Sequence, residues 1–136
     1  MTNKIKTTAL WIWQLPQNLL GYFLSRNYYC YLYDTYWKQD WNLSGISLGN
    51  YIIADKNILN YDYMTVLQHE RGHQKQSLYL GPLYLFIVGI PSITRNIWDG
   101  LFHKHWSVIK RTEWYYSSYP ENWADKLGRV NRNLSL

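Results

Sequence analysis

YDYMTVLQHERGHQKQSLYLG, residues 61–81, reads as one helix with both ends marked. Asp62 or Thr65 can cap its start, and Gly81 followed by Pro82 stops it. At its centre lies HERGH, residues 69–73. Residues four apart on a helix share a face, so His69 and His73 can aim two imidazole nitrogens at one point. Glu70 follows His69 by about 100° around the helix, which sets its carboxylate beside an ion held by that pair. Its expected role is base rather than ligand. Gly72 either leaves the helix surface thin between the histidines or admits a close helix neighbour. The plainer reading of HERGH is a pair of surface or core histidines.

Composition bounds what such a site can be. A chain of 136 residues has room for one domain of ordinary core size, so any site is built from elements of a single fold, taken as residues 1–136. The single cysteine, Cys30, rules out an internal disulfide and a cysteine-ligated zinc site. His and carboxylates must therefore hold any metal. A formal charge of +5 favours anionic partners, nucleic acid or a phospholipid surface. The basic residues are spread along the chain, which argues against nucleic acid. The 8 Trp and 14 Tyr residues suit either a core with polar tips outward or a membrane interface.

The flanking segments set an α+β expectation. Residues 7–25, TTALWIWQLPQNLLGYFLS, form an apolar N-terminal helix (1–25 at its widest) bent near Pro16. Gln14, Gln17 and Asn18 interrupt it and no small-x-small site follows, so it is not read as a signal peptide. This helix either packs on the domain or lies on a membrane; the expected location is the cytoplasm, with peripheral membrane contact as an open alternative. Residues 26–41 read as a strand or an irregular aromatic segment, and Tyr51–Ile53 as a strand that can serve as a sheet edge. The uncharged stretch Gln76–Thr94 approaches the length of a membrane span, but its two Gly and two Pro favour a buried core segment or reentrant hairpin that folds back over the HERGH helix and buries its Leu, Ile and Phe side chains. Residues 95–112 read as an amphipathic helix with Ile97, Leu101 and Val108 inward, 119–128 as a last helix, and 130–136 as a flexible tail.

A catalytic zinc takes three protein ligands and keeps one position open. The remaining candidates are His103, His105, Glu113, Glu121 and Asp125. His103 and His105 are two apart, hence on different helix faces, and suit an exposed cationic pair; Glu113 lies beside Lys110 and Arg111 and suits a surface pair. PENWAD, residues 120–125, is more informative. Pro120 can open a helix, and Glu121 and Asp125 then share a face. Glu121 can complete the shell while Asp125 accepts the second ring N–H of a bound histidine.

HExxH on one helix followed by ExxAD on a later one resembles the gluzincin class of zinc metallopeptidases, which includes thermolysin and the CaaX prenyl endopeptidases. SLGNYII, HERGHQKQSLYLGPLYLFIVGIPS and YYSSYPENWADKLGRV, together spanning most of residues 45–130, also resemble small bacterial proteins carrying HExGHxxQS. The class resemblance implies a compact zincin-like domain with the HERGH helix against a small sheet and the third ligand on a C-terminal helix. It implies Zn2+ held by His69, His73 and Glu121, Glu70 as general base, Asp125 behind the ligands, and a peptide or protein substrate. The oxyanion donors on offer are Tyr115, Tyr116, Tyr119, His103 and His105, and the sequence does not choose among them. A second reading keeps the zinc and drops catalysis: a zinc-stabilised binding or scaffold module.

Overall fold

The computed structural model describes residues 2–27, 30–41, 43–60 and 62–132. Among these, six α-helices and a four-stranded sheet make a mixed α+β architecture. The helices are α1 (Thr2–Trp13), α2 (Leu15–Ser25), α3 (Tyr63–Leu80), α4 (Ile90–Phe102), α5 (Val108–Tyr116) and α6 (Glu121–Gly128). The strands are β1 (Cys30–Leu32), β2 (Thr35–Lys38), β3 (Gly45–Leu48) and β4 (Tyr51–Asp55), in the order β1-β2-β4-β3.

Local chemistry explains the strand connections. Tyr33 and Asp34 both hold positive φ, the backbone of a tight two-residue turn between antiparallel strands, and join β1 to β2. Gly49, with φ of 63°, turns β3 back on β4. β2 pairs with β4 in parallel, so β4 is paired on both sides. This corrects the expectation that Tyr51–Ile53 is an edge: the free edge beside the HERGH helix belongs to β3. Residues 26–41 supply two strands, with 28 and 29 outside the described residues.

The period-two alternation of β4 sorts its side chains between two helices. Ile52 and Ala54 pack with Trp37, Ile58 and Leu67 in the core on the α3 side. Tyr51 points the other way, where its ring lies against the backbone of α2 at Gly21. The sheet is thus held between α2 and α3. α3 begins after Asp62, whose side chain makes no capping hydrogen bond, and stops at Gly81, where φ is 54°.

Two expectations about burial and one about helix extent are overturned. The stretch after α3 forms a 3-10 turn, Gly81–Leu83, and a π-helical stretch, Leu85–Gly89, that leads into α4. Only Tyr84 and Val88 of its apolar side chains are buried, while Leu83, Phe86, Ile87 and Ile90 are exposed. Residues 95–112 are not one helix, because α4 ends at Phe102 and α5 starts after Ser107, whose hydroxyl accepts from the Lys110 N–H as an N-cap. Ile97, Leu101 and Val108 point outward, not inward. The reason is that the polar sides of α2 and α4 find specific partners in the protein. Gln17 donates to Ser77 Oγ and to the Gly81 carbonyl, both at 2.8 Å, and Asp99 pairs with Arg111 and His103. No described helix is long and apolar enough to cross a membrane.

Candidate metal centre

The site is made by the crossing of α3 and α6. A Cβ on Gly72 would lie 1.9 Å from the Ala124 carbonyl oxygen, and one on Gly128 would lie 1.9 Å from that of Gln68. Backbone therefore touches backbone, and of the two readings of Gly72 the structure selects close helix packing. That approach carries Glu121 and Asp125, one turn apart on α6, onto the face of α3 that bears His69 and His73.

The three ligand atoms converge. His69 Nε2 lies 3.0 Å from Glu121 Oε2, His73 Nε2 lies 3.1 Å from the same oxygen, and the two Nε2 atoms are 3.1 Å apart. All three side chains are buried. An ion bonded tetrahedrally at ~2.0–2.1 Å separates its ligands by roughly 3.3 Å, so the triangle fits a small divalent cation.

The outer hydrogen bonds decide what those atoms offer. Asp125 Oδ1 accepts from His69 Nδ1 at 2.6 Å; an ionised carboxylate accepts only, so that ring nitrogen carries the proton. Gln76 donates its amide nitrogen to the Pro120 carbonyl at 3.2 Å, which turns its oxygen to His73 Nδ1 at 2.7 Å. His73 Nδ1 is therefore also protonated. Both Nε2 atoms then present lone pairs, toward each other and toward a carboxylate. Three acceptors at such distances repel one another unless a cation lies among them. Without a metal, the cation available is a proton. Burial disfavours the His69 imidazolium, yet its hydrogen bonds to Asp125 and Glu121 prevail and raise its pKa to about 9. Glu121 is desolvated too, but the two histidines hold its carboxyl well below the usual range.

Glu70 stands beside this cluster without belonging to it. Its carboxylate is buried, its Oε2 has no hydrogen-bond partner among the described residues, and burial raises its pKa against the pull of His69 and His73. Room for it comes from β3, where a Cβ on Gly45 would stand 2.9 Å from Glu70 Oε1. A cleft of ≈ 670 Å³ opens onto His69, Glu70, His73 and Glu121. One wall is the β3 strand, and another is formed by Leu85, Ile90 and Ile93.

Of the five donors considered, Tyr115 and Tyr116 line this cleft. The Tyr116 ring meets His69 edge-on with centroids 5.0 Å apart, and Arg132 covers that ring at 3.3 Å. Tyr119 turns away and donates to the Ile87 carbonyl. His103 is buried elsewhere, hydrogen-bonded to Asp99 at 3.0 Å and stacked on Trp106, which corrects its reading as half of an exposed pair; His105 is exposed.

Four residues of the site carried no role in the sequence reading. Gln76 holds His73, Ser92 donates to Glu121 Oε1 at 2.5 Å, Tyr84 lines the cleft and donates to the Ser47 carbonyl, and Arg132 binds both oxygens of Asp125. Gln76 had a legible signal, lying three residues from His73 on one helix face. Arg132 had none: it falls in the expected tail, of which 133–136 lie outside the described residues. The left-handed Arg129 ends α6 and turns the chain back toward Asp125.

The chain matches no protein-family model, no curated protein and no solved structure.

Proposed function

We propose that this chain is a zinc-dependent hydrolase that cleaves peptide bonds, with zinc held by His69, His73 and Glu121 in the manner of the gluzincins. The observation that carries the reading is an unpartnered, buried Glu70 carboxylate oxygen beside three converging acceptors, all open to one cleft. A structural metal site is closed, whereas a catalytic one keeps an approach for water and substrate. When bound, zinc supplies Lewis acidity, polarising a carbonyl and acidifying water.

The protein's own groups supply the rest. Glu70 takes a proton from the attacking water and hands it to the departing amine nitrogen as the C–N bond breaks. Its raised pKa suits a group that must both accept and return a proton. Tyr116, which lines the cleft beside His69, is the donor assigned to the oxyanion, since the Tyr115 hydroxyl is directed at Glu121 Oε1 at 3.5 Å; burial first of all keeps Tyr116 protonated, pushing it to about 12. Asp125 and Gln76 orient the two imidazoles, and Ser92 orients the Glu121 carboxylate.

The cleft wall favours an extended peptide as substrate. In the β3–β4 pair the Asp55 N–H reaches the Ser44 carbonyl, so by antiparallel alternation the backbone groups of Gly45 and Ser47 face away from β4; the Ser47 carbonyl is taken by Tyr84, which leaves the Gly45 groups and the Ser47 N–H for a substrate. A substrate strand can add there, next to Glu70. The test is hydrolysis of a mixed-sequence peptide library by zinc-loaded wild-type and Glu70→Gln protein. Cleavage by the first and not the second is expected. Equal zinc content with no cleavage by either would leave the zinc-stabilised, non-catalytic module.

A further inference from the structure

Among the described residues, α2 and α4 are amphipathic with the apolar side outward. α4 and the π-helical stretch before it present Phe86, Ile90, Ile93, Ile97 and Leu101 at intervals of three and four, one continuous exposed stripe. Phe86 is 69% exposed, Leu101 60% and Phe102 61%. The opposite side of α4 is the one engaged with protein: Ser92 with Glu121, Arg95 with the Trp114 carbonyl, and Asp99 with Arg111. α2 repeats the inversion. Gln17, Asn18 and Ser25 are buried, while Leu19, Leu20, Tyr22, Phe23 and Leu24 are exposed.

The two stripes form one surface. Trp13 donates to the Leu78 carbonyl and Gln17 to the Gly81 carbonyl, which anchors α1 and α2 beside the start of the π-helical stretch. Leu20 and Leu24 of α2 then share the cleft wall with Phe86, Ile90 and Ile93. Those five residues are also exposed, so the cleft opens through this surface. A continuous exposed apolar face of this kind marks a surface that meets a partner.

We infer that this face docks on an anionic lipid bilayer, the protein lying in the interface with α2 and α4 against the acyl boundary. Charge favours that occupant. Residues 2–27 and 76–98 contain not one Asp or Glu, and Lys4, Lys6 and Arg26 are exposed, while Arg95 is turned to the protein. Lys104 and Lys110, both exposed, stand beyond the far end of α4. Cations around an apolar stripe, with Trp13, Trp98 and Tyr22 among its exposed side chains, are the pattern of an interfacial helix. No described helix is long and apolar enough to cross a membrane, and in this placement α2 and α4 lie in the plane of the interface. A second copy seated on the same face would cover the mouth of the cleft, whereas a fluid lipid surface leaves it able to receive a chain. Lipid binding itself needs neither the metal nor catalysis; only the preference for lipid over a second copy rests on the proposed use of the cleft.

The test is flotation of the full chain with vesicles of phosphatidylcholine containing about a quarter phosphatidylglycerol, and with phosphatidylcholine alone. Wild-type protein is expected to float with the first and less with the second. Ile97→Glu combined with Leu101→Glu is expected to cut binding at least tenfold, and Lys4→Ala with Lys6→Ala to remove mainly the anionic preference. Circular dichroism and thermal melting check that the variants fold. Should the double glutamate variant fail to fold, quenching of wild-type tryptophan fluorescence by lipids brominated near the headgroup decides the matter: quenching is expected. Wild-type protein that ignores both vesicles, or a folded double glutamate variant that floats undiminished, overturns the inference. So does a dimer indifferent to vesicles that the same variant converts to monomer, which would assign the face to a second copy.

Discussion

Asp125 Oδ1 lies 2.6 Å from Nδ1 of His69, on the side of the ring opposite the nitrogen that faces Glu121. One turn of α6 thus supplies both the group that meets the candidate metal and the group that aims its partner. The two carboxylates should fail differently. Glu121→Ala removes one of the three proposed ligand atoms and is expected to nearly abolish tight zinc binding, whereas Asp125→Ala leaves all three proposed ligands and should weaken affinity or activity by roughly 10 to 100-fold. Zinc titration of both variants against a competing chelator measures the order. Asp125→Ala proving the more damaging would reverse the roles.

Glu70→Gln preserves shape and a hydrogen-bonding group but cannot take a proton from water. Turnover is expected to fall by roughly 10² to 10⁴ with zinc retained at the wild-type level. Metal analysis alongside peptide hydrolysis separates this outcome from the loss of a ligand: a zinc-free Glu70→Gln protein contradicts the assignment.

Gly72→Ala drives a methyl group to 1.9 Å from the Ala124 carbonyl oxygen, and backbone cannot swing aside as a flexible side chain can. Pushing α6 off α3 should cost about 1–3 kcal/mol and separate Glu121 from the histidines, lowering both the melting temperature and zinc affinity. Gly100→Ala is the control. A Cβ there meets nothing within 4 Å on a helical, exposed position, so it should stabilise by about 0.5–1 kcal/mol. Melting curves of the two variants moving in the same direction would refute the packing account.

The metal-free protein should have a characteristic pH dependence. The pKa of His69 is raised from 6.5 to about 9, so its contribution to stability is full below about 6.5 and is lost as pH rises toward 9. Glu121 is shifted the other way, and its contribution is present above its ordinary carboxylate range and lost in acid. Chelator-treated protein is therefore expected to melt at progressively lower temperature from pH 6.5 to 9. Zinc, which competes with the proton on His69, should bind more tightly over the same interval. A melting temperature that rises with pH across this window in the metal-free protein would contradict the assigned proton.

The sequence by itself determined what lies along single helices. α3 between a polar start and Gly81, the shared face of His69 and His73, and the pairing of Glu121 with Asp125 all follow from the 3.6-residue repeat, which holds wherever the helix is placed. Tertiary structure decided everything that depends on which surface meets which. Periodicity reveals that α2 and α4 have unlike faces, but water-based reasoning turns the apolar face inward. Here Gln17, Ser92 and Asp99 hold the polar face against the protein, and the apolar one is left outside. The β3 edge, the Ser92 contact to Glu121 and the return of Arg132 to Asp125 were likewise closed to a linear reading. Such contacts join residues that local geometry leaves independent. Their distances are set by the backbone approach at Gly72 and Gly128, and no repeat in the chain encodes that.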